Sequence, residues 1–160
     1  MSMPLFVFGS LRDSEVREVV LGRVATDIRT NIARLQGYRA AKLPDESYPV
    51  LLVAPGSTVE GELLLGLSVE EFRRIAFFEN QEYRFEPCTV TLEGGGRRNA
   101  VYCAENQTQV GACEPWLLDT WQRVHKSAFL EHTRQFMQFY GTAGPEAADE
   151  IWRELKKQAG

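Results

Sequence analysis

Little in this 160-residue chain favours a metal, a membrane or a nucleic acid. Histidine occurs twice and cysteine three times. Cys88, Cys103 and Cys113 are odd in number and form no C-x-x-C pair, so neither a disulfide framework nor a thiolate metal site is indicated, and a reducing cytoplasm is expected. His125 and His132 stand seven apart on one helix face, where a metal site prefers an i,i+4 pair and a third ligand. They read as surface or packing histidines. No apolar run exceeds five residues, as at Val50–Ala54, against about 20 for a spanning helix. The opening MSMPLFVFGS has no basic stretch before its short apolar run, so no secretory leader is expected. Eighteen basic residues against 22 acidic ones leave a net charge of −4. Polynucleotide binding needs a strongly basic face, so no nucleic-acid partner is expected. Neither a G-x-G-x-x-G nor a phosphate-loop lysine motif is present, so a nucleotide site is not indicated.

What remains is an ordinary globular composition, 44% apolar and 25% charged. A chain of this size buries roughly 70% of its unfolded surface, and residues 1–160 are read as one domain with no repeat and no long linker. Leu5–Phe8 reads as a short buried strand stopped by Gly9-Ser10. Asp13 suits the N-cap of a helix reaching Leu21, with Gly22 beyond its end. Residues 29–39, 48–54 and 59–65 read as strands, with turns at Pro44-Asp45 and Pro55-Gly56-Ser57. Ser68 and Glu71 form a capping box for a helix ending near Glu79. Residues 84–93 and 98–104 read as a hairpin around Gly94-Gly95-Gly96. Glu114-Pro115-Trp116 reads as the start of a long helix ended by Gly141, and Gly144-Pro145 as the start of a last one. The expected class is α+β with a curled, mostly antiparallel sheet.

Two segments carry possible chemistry. Phe8-Gly9-Ser10-Leu11 is a glycine bend between a buried strand and a helix. Such a bend aims successive N–H groups at one anion, or it is a plain connection. The second runs FFENQEYR from Phe77 to Arg84. A carboxylate after two aromatics at a helix end is disfavoured in its charged form by burial and by the helix dipole, which suits a general base. Glu79 is therefore a candidate base or a solvated terminal glutamate, and Glu82 is read as exposed. Cys88 and Cys103 read as buried thiols; a nucleophilic pair of either with His125 has no flanking glycine motif in its favour. Trp116, Trp121, Phe129 and Phe136 read as core.

The segments FVFGSLRD, GYRAAKLPDESYPVLL, VEGELLLGLSVEEF, FFENQEYRFEPCTVTL and EPWLLDTWQRVHKSAFLEHTRQFMQFY follow in an order and spacing that resemble the γ-glutamylcyclotransferase-like superfamily, in the branch named after plant avirulence-induced proteins. The resemblance implies a small mixed, mostly antiparallel β-barrel wrapped by helices, with a cavity at its open side. It implies an acid/base role for Glu79 and a substrate-binding role for Phe8, Gly9, Ser10 and Leu11. The family usually carries Tyr where this chain has Phe8. Tyr38, Tyr48 and Tyr83 are possible replacement donors, and Tyr83 is preferred for its closeness to Glu79. The implied activity is cyclisation of a small γ-glutamyl amide to 5-oxoproline with release of an amine, with no cofactor and no metal. The alternative is a non-catalytic barrel that binds the same kind of small molecule.

Overall fold

The computed structural model describes residues 3–42, 49–79, 83–105, 114–142 and 144–159. A five-stranded barrel forms the centre. Its strands are β1 (Leu5–Val7), β2 (Arg29–Lys42), β3 (Pro49–Leu65), β4 (Tyr83–Leu92) and β5 (Arg97–Glu105). The sheet order is β3-β1-β5-β4-β2, and β2 pairs back onto β3 to close it. β1 lies parallel to β5, with Phe6 beside Tyr102, and the other pairs are antiparallel. The expected mixed, mostly antiparallel barrel is what the chain forms. Around it pack α1 (Ser14–Leu21), α2 (Val69–Glu79), α3 (Leu118–Val124), α4 (Lys126–Met137) and α5 (Pro145–Ala159).

The barrel needs close approach of β1 to β3. A Cβ at Gly61 would stand 2.3 Å from the Val7 carbonyl oxygen and 2.7 Å from the Phe6 ring, so only glycine lets β1 lie this close. Strand alternation then sorts β1 between two cores. Phe6 joins Ala33, Leu35, Val59, Leu63, Val90 and Ala100 inside the barrel. Leu5 and Val7 face outward onto the helices, in a second core with Val16, Ile75, Trp121, Phe129 and Phe136.

Local signals hold where they were strongest. Asp13 accepts the Glu15 and Val16 N–H groups at 2.9 and 3.2 Å, and Gly22 ends α1 in the left-handed region with φ 72°. In the capping box, Glu71 N–H donates to Ser68 Oγ at 3.0 Å and Ser68 N–H donates to Glu71 Oε1 at 2.9 Å. Gly95 and Gly96 turn the hairpin at φ 93° and 90°.

Three expectations need correction. Pro55-Gly56-Ser57 is no turn between strands but part of one 17-residue strand. Its pairing jumps from Gln36↔Thr58 to Tyr38↔Val53, so residues 54–57 are accommodated as a bulge opposite Gly37. Glu114-Pro115 does not open a helix. It forms a short strand, β6, on the edge of β2, with Lys42↔Glu114 and Ala41↔Pro115, and Trp116 N–H donates to the Ala40 carbonyl at 3.1 Å. The long helix expected from there starts at Leu118 and is broken at His125 into α3 and α4. The turn expected at Pro44-Asp45, together with Tyr48 and Cys113, lies outside the described residues. No helix among those described is long and apolar enough to cross a membrane.

Candidate active site

Strand direction decides where the candidate residues go. β1, β5 and β2 run one way, and β4 and β3 run the other. The end of β1, the end of β5, the end of β2, the start of β4 and the start of β3 therefore share one end of the barrel. The Phe8–Leu11 segment leaves β1 there, and α2 delivers Glu79 there, immediately before β4.

Beyond β1 the chain makes one tight turn at Ser10–Arg12. Arg12 N–H donates to Gly9 O at 2.9 Å and Asp13 N–H to Ser10 O at 3.0 Å. The turn does not itself consume the earlier N–H groups of Ser10 and Leu11. Ser10 and Leu11 are buried, and Phe8 and Gly9 half-buried. Gly9 lies against the start of β3: a Cβ there would come within 2.8 Å of Pro49 Cγ. Phe8 turns inward, its ring 6.4 Å from that of Phe6, and joins the residues packed against the barrel core with Tyr38, Leu51, Cys88 and Tyr102.

Two buried charges hold the turn, and sequence reasoning gave neither this reach. Asp13 caps α1 and also takes Gln122 Nε2 at 3.0 Å and Lys126 Nζ at 2.8 Å, linking the turn to α3 and α4. Burial works against its charge, but the hydrogen bonds from Lys126, Gln122 and the Val16 N–H outweigh it and hold the carboxyl below the usual aspartate value. Arg17 donates from Nη1 to the carbonyls of Leu11 and Arg12, at 3.0 and 2.8 Å, and to Glu62 of β3 at 2.9 Å.

Glu79 is half-buried at the end of α2. The two aromatics before it fix that end. Phe77 stacks on Phe136 of α4 with centroids 4.6 Å apart. Phe78 meets Phe129 of α4 and Trp152 of α5 edge to face, at 6.1 and 6.3 Å. Glu79 stands close enough to Cys103 for its charge to add to burial in pushing that thiol's pKa up. Cys103 follows Tyr102 on β5, so it lies level with Val7, one residue before the Phe8 segment. Cys103 and Leu11 both belong to the outer core, together with Phe78 and Trp116. The glutamate and the turn thus approach the same end of β5 from the helix side.

Tyr83 begins β4 opposite Glu105, and its side chain lies outside the described residues. Tyr38 is on the barrel's inner face. Tyr102 is a residue the sequence reading passed over, although its alternation with Ala100 and Ala104 on β5 marks it as inward-facing. The cysteines face opposite sides of the sheet, Cys88 inward and Cys103 toward the helices. Burial pushes the Cys88 thiol up to about 11, and Cys103 is raised as well. Both are poor nucleophiles at neutral pH. His132 is buried, stacked 3.7 Å from Trp152, with Nε2 donating to the Trp152 carbonyl at 3.1 Å. It is a packing histidine.

The family model described as γ-glutamyl cyclotransferase, AIG2-like, matches residues 5–123, a span that holds the whole barrel, the turn and Glu79. The chain belongs to that family. AIG2-like protein A of Arabidopsis thaliana is 25% identical over 155 residues, covering 96% of this chain and 92% of the relative. AIG2-like protein C of the same plant is 29% identical over 136 residues, covering 84% and 77%. Among solved structures, an Arabidopsis thaliana protein determined in solution superposes with a TM-score of 0.64 at 23% identity, covering 89% and 86% of the two chains. A structure named γ-glutamyl cyclotransferase superposes at 0.57 with 15% identity, covering 96% and 99%. These structural likenesses establish the fold.

Proposed function

We propose that this protein is a cofactor-independent enzyme that cyclises a small γ-glutamyl amide to 5-oxoproline and frees the amine. One observation carries the reading. A half-buried carboxylate, Glu79, ends α2, whose last turn Phe77 and Phe78 anchor against α4 and α5, at the barrel end from which the Gly9 turn emerges. The family, and a structural neighbour whose name is γ-glutamyl cyclotransferase, support it.

The reaction suits this equipment. The substrate's own α-amine attacks its γ-carbonyl and closes a five-membered ring, so the reaction is intramolecular and proximity supplies much of the rate. Glu79 takes a proton from the α-ammonium as the C–N bond of the ring forms. The tetrahedral oxyanion then collapses. The bond to the leaving nitrogen breaks as Glu79 returns the proton to it, and the ring nitrogen's second proton follows by way of Glu79, so that the lactam N–H is left and the amine departs as an ammonium. N–H groups of the turn at Gly9, Ser10 and Leu11 receive the developing oxyanion or the α-carboxylate. Tyr83 is the further contact proposed on sequence closeness to Glu79. Neither thiol takes part, and a reducing cytoplasm suits the free Cys88 and Cys103.

The second reading, a barrel that binds without turnover, draws on Phe8. Its ring packs beside Phe6 and brings no hydroxyl to the site. Incubation with a panel of γ-glutamyl amino acids and amines, reading 5-oxoproline, separates the two. Release of 5-oxoproline from at least one member supports the enzyme; binding without release supports the second reading.

A further inference from the structure

Four ring contacts converge on Trp152 of α5. Its indole meets the rings of Phe78, Phe129 and Phe136 edge to face, at centroid distances of 6.3, 5.9 and 5.0 Å. It also stacks on His132 at 3.7 Å. His132 Nε2 donates to the Trp152 carbonyl at 3.1 Å, which ties α5 to α4 at this residue. Phe78 is the residue immediately before Glu79. Phe77, one further back, reaches the indole through a single ring, because it stacks on Phe136. Both side chains that precede the glutamate therefore lead to Trp152. The family match stops at residue 123, so α4 and α5 supply this support from beyond the matched span. Trp152 is half-buried, and no step of the proposed reaction uses it.

We propose that Trp152 is a positioning residue for the reaction. It braces Phe78 directly and Phe77 through Phe136, holds the last turn of α2, and so sets where the Glu79 carboxylate stands. The proposal rests on the functional reading above and adds the residue that keeps its base in place. The last turn of a helix is its weakest, because its final carbonyls have no partner within the helix and helix ends open most easily. A general base has to stand within about 2.6–3.2 Å of the proton it takes. An α2 end free to open would carry Glu79 out of that reach. Packing across to α4 and α5 opposes this, and edge-to-face contacts fix the orientation of the rings as well as burying them. The turn after β1 is braced separately, by Arg17 to the Leu11 carbonyl and to Glu62 of β3. Loosening the end of α2 therefore lowers kcat and leaves binding in place.

The test uses Trp152→Leu and Trp152→Phe in the full chain. Leu removes the indole from all of its ring partners, and Phe keeps one ring beside Phe78. Ile28→Ala is the stability control. Ile28 is buried just before β2, at the opposite end of the barrel from Glu79, where loss of side-chain volume lowers stability. The readouts are kcat and KM for 5-oxoproline release, 5-oxoproline affinity by calorimetry, and melting temperature, with rates taken below every melting temperature. Trp152→Leu should lower kcat by roughly 10- to 100-fold, with KM and 5-oxoproline affinity unchanged. Trp152→Phe should lose less, and Ile28→Ala should melt earlier with kcat intact. Hydrogen exchange at the Ala76, Phe77, Phe78 and Glu79 amides should speed up in the Trp152 variants, more for Leu than for Phe. Wild-type kcat in the folded Trp152 variants overturns the proposal and leaves the functional reading standing. An equal fall in Ile28→Ala does the same, and so does a rise in KM with kcat kept. If the Leu variant does not fold, Trp152→Phe decides by the same split between kcat and KM. A wild type that releases no 5-oxoproline from any amide overturns the functional reading and this assignment with it.

Discussion

Arg17 Nη1 donates to the carbonyl oxygen of Leu11 at 3.0 Å, from six residues further along the chain. The same nitrogen reaches the Arg12 carbonyl and Glu62, so one buried guanidinium ties the turn after β1 both to the start of α1 and to β3. Replacing Arg17 by Met keeps much of the apolar stem and removes the donors. Hydrogen bonds to charged groups contribute roughly 1.5–3 kcal/mol, and stability in urea should fall by about that amount. The freed turn should lower kcat/KM by about tenfold or more, because misplacing a binding group is costly. Arg17→Lys should restore part of both losses. A Met variant as stable and as active as wild type would show that the turn holds itself.

Gly9 is constrained by Pro49 rather than by backbone angle. Any β-carbon at position 9 enters the Pro49 ring, with 2.8 Å to Cγ and 2.9 Å to Cδ, and a proline ring does not swing aside. Gly9→Val should therefore lower the melting temperature and push the turn off β3, weakening 5-oxoproline binding at the same time. Calorimetry and thermal unfolding on one preparation check both effects. Normal binding by a folded Gly9→Val protein would remove the turn from the site.

Much of this arrangement could be read from the sequence because it is encoded locally. Asp13, Gly22, Ser68 with Glu71, and the triple glycine each settle a cap or turn within a few residues. The end of α2 at Glu79 follows from the apolar spacing of Phe72, Ile75 and Phe78. What escaped depends on partners far along the chain. Glu114-Pro115 has a helix-start composition, but its backbone pairs with Lys42 and Ala41 of β2. Pro55-Gly56-Ser57 has turn composition, but β2 continues past it and absorbs it as a bulge. Arg17 carries no local signal of burial in the sequence; its partners, the carbonyls of Leu11 and Arg12 and the Glu62 carboxylate, come together only in the folded turn. Alternation puts Tyr102 on one face of β5, but only barrel closure makes that face an interior shared with Tyr38 and Phe8.

Phe8→Tyr adds one hydroxyl on a half-buried ring that packs in a set including Tyr38 and Tyr102. With hydroxyls nearby, the new group should find a partner, and turnover of a γ-glutamyl amide should rise by up to about tenfold, the equivalent of roughly 1.4 kcal/mol. Rates of 5-oxoproline formation and melting temperatures, taken as a pair, check this. A lower melting temperature with no gain on any substrate would mean that the ring sits in a dry apolar pocket.

His132 gives the fold an acid-side weakness. Burial lowers its pKa, the hydrogen bond to the Trp152 carbonyl partly opposes this, and Lys156 adds to the lowering. In the unfolded chain histidine titrates near 6.5. Between that value and the lower folded one, the unfolded state binds more protons, so stability rises with pH across this window. The contribution is complete above about pH 6.5 and is lost as pH falls through the folded value. His132→Gln should flatten this part of the profile in urea titrations from neutral pH downward. An unchanged slope would assign the acid sensitivity to other groups.

The central claim is that Glu79 moves the proton. The direct measurement is the rate of 5-oxoproline release from the best γ-glutamyl amide of the panel, for wild type and for Glu79→Gln at matched melting temperature. Gln keeps the shape and removes the base, and general acid–base catalysis is worth about 10²–10⁴-fold. The expected result is a fall of at least about 100-fold with 5-oxoproline binding retained. Near wild-type release by a folded Glu79→Gln protein would contradict the account.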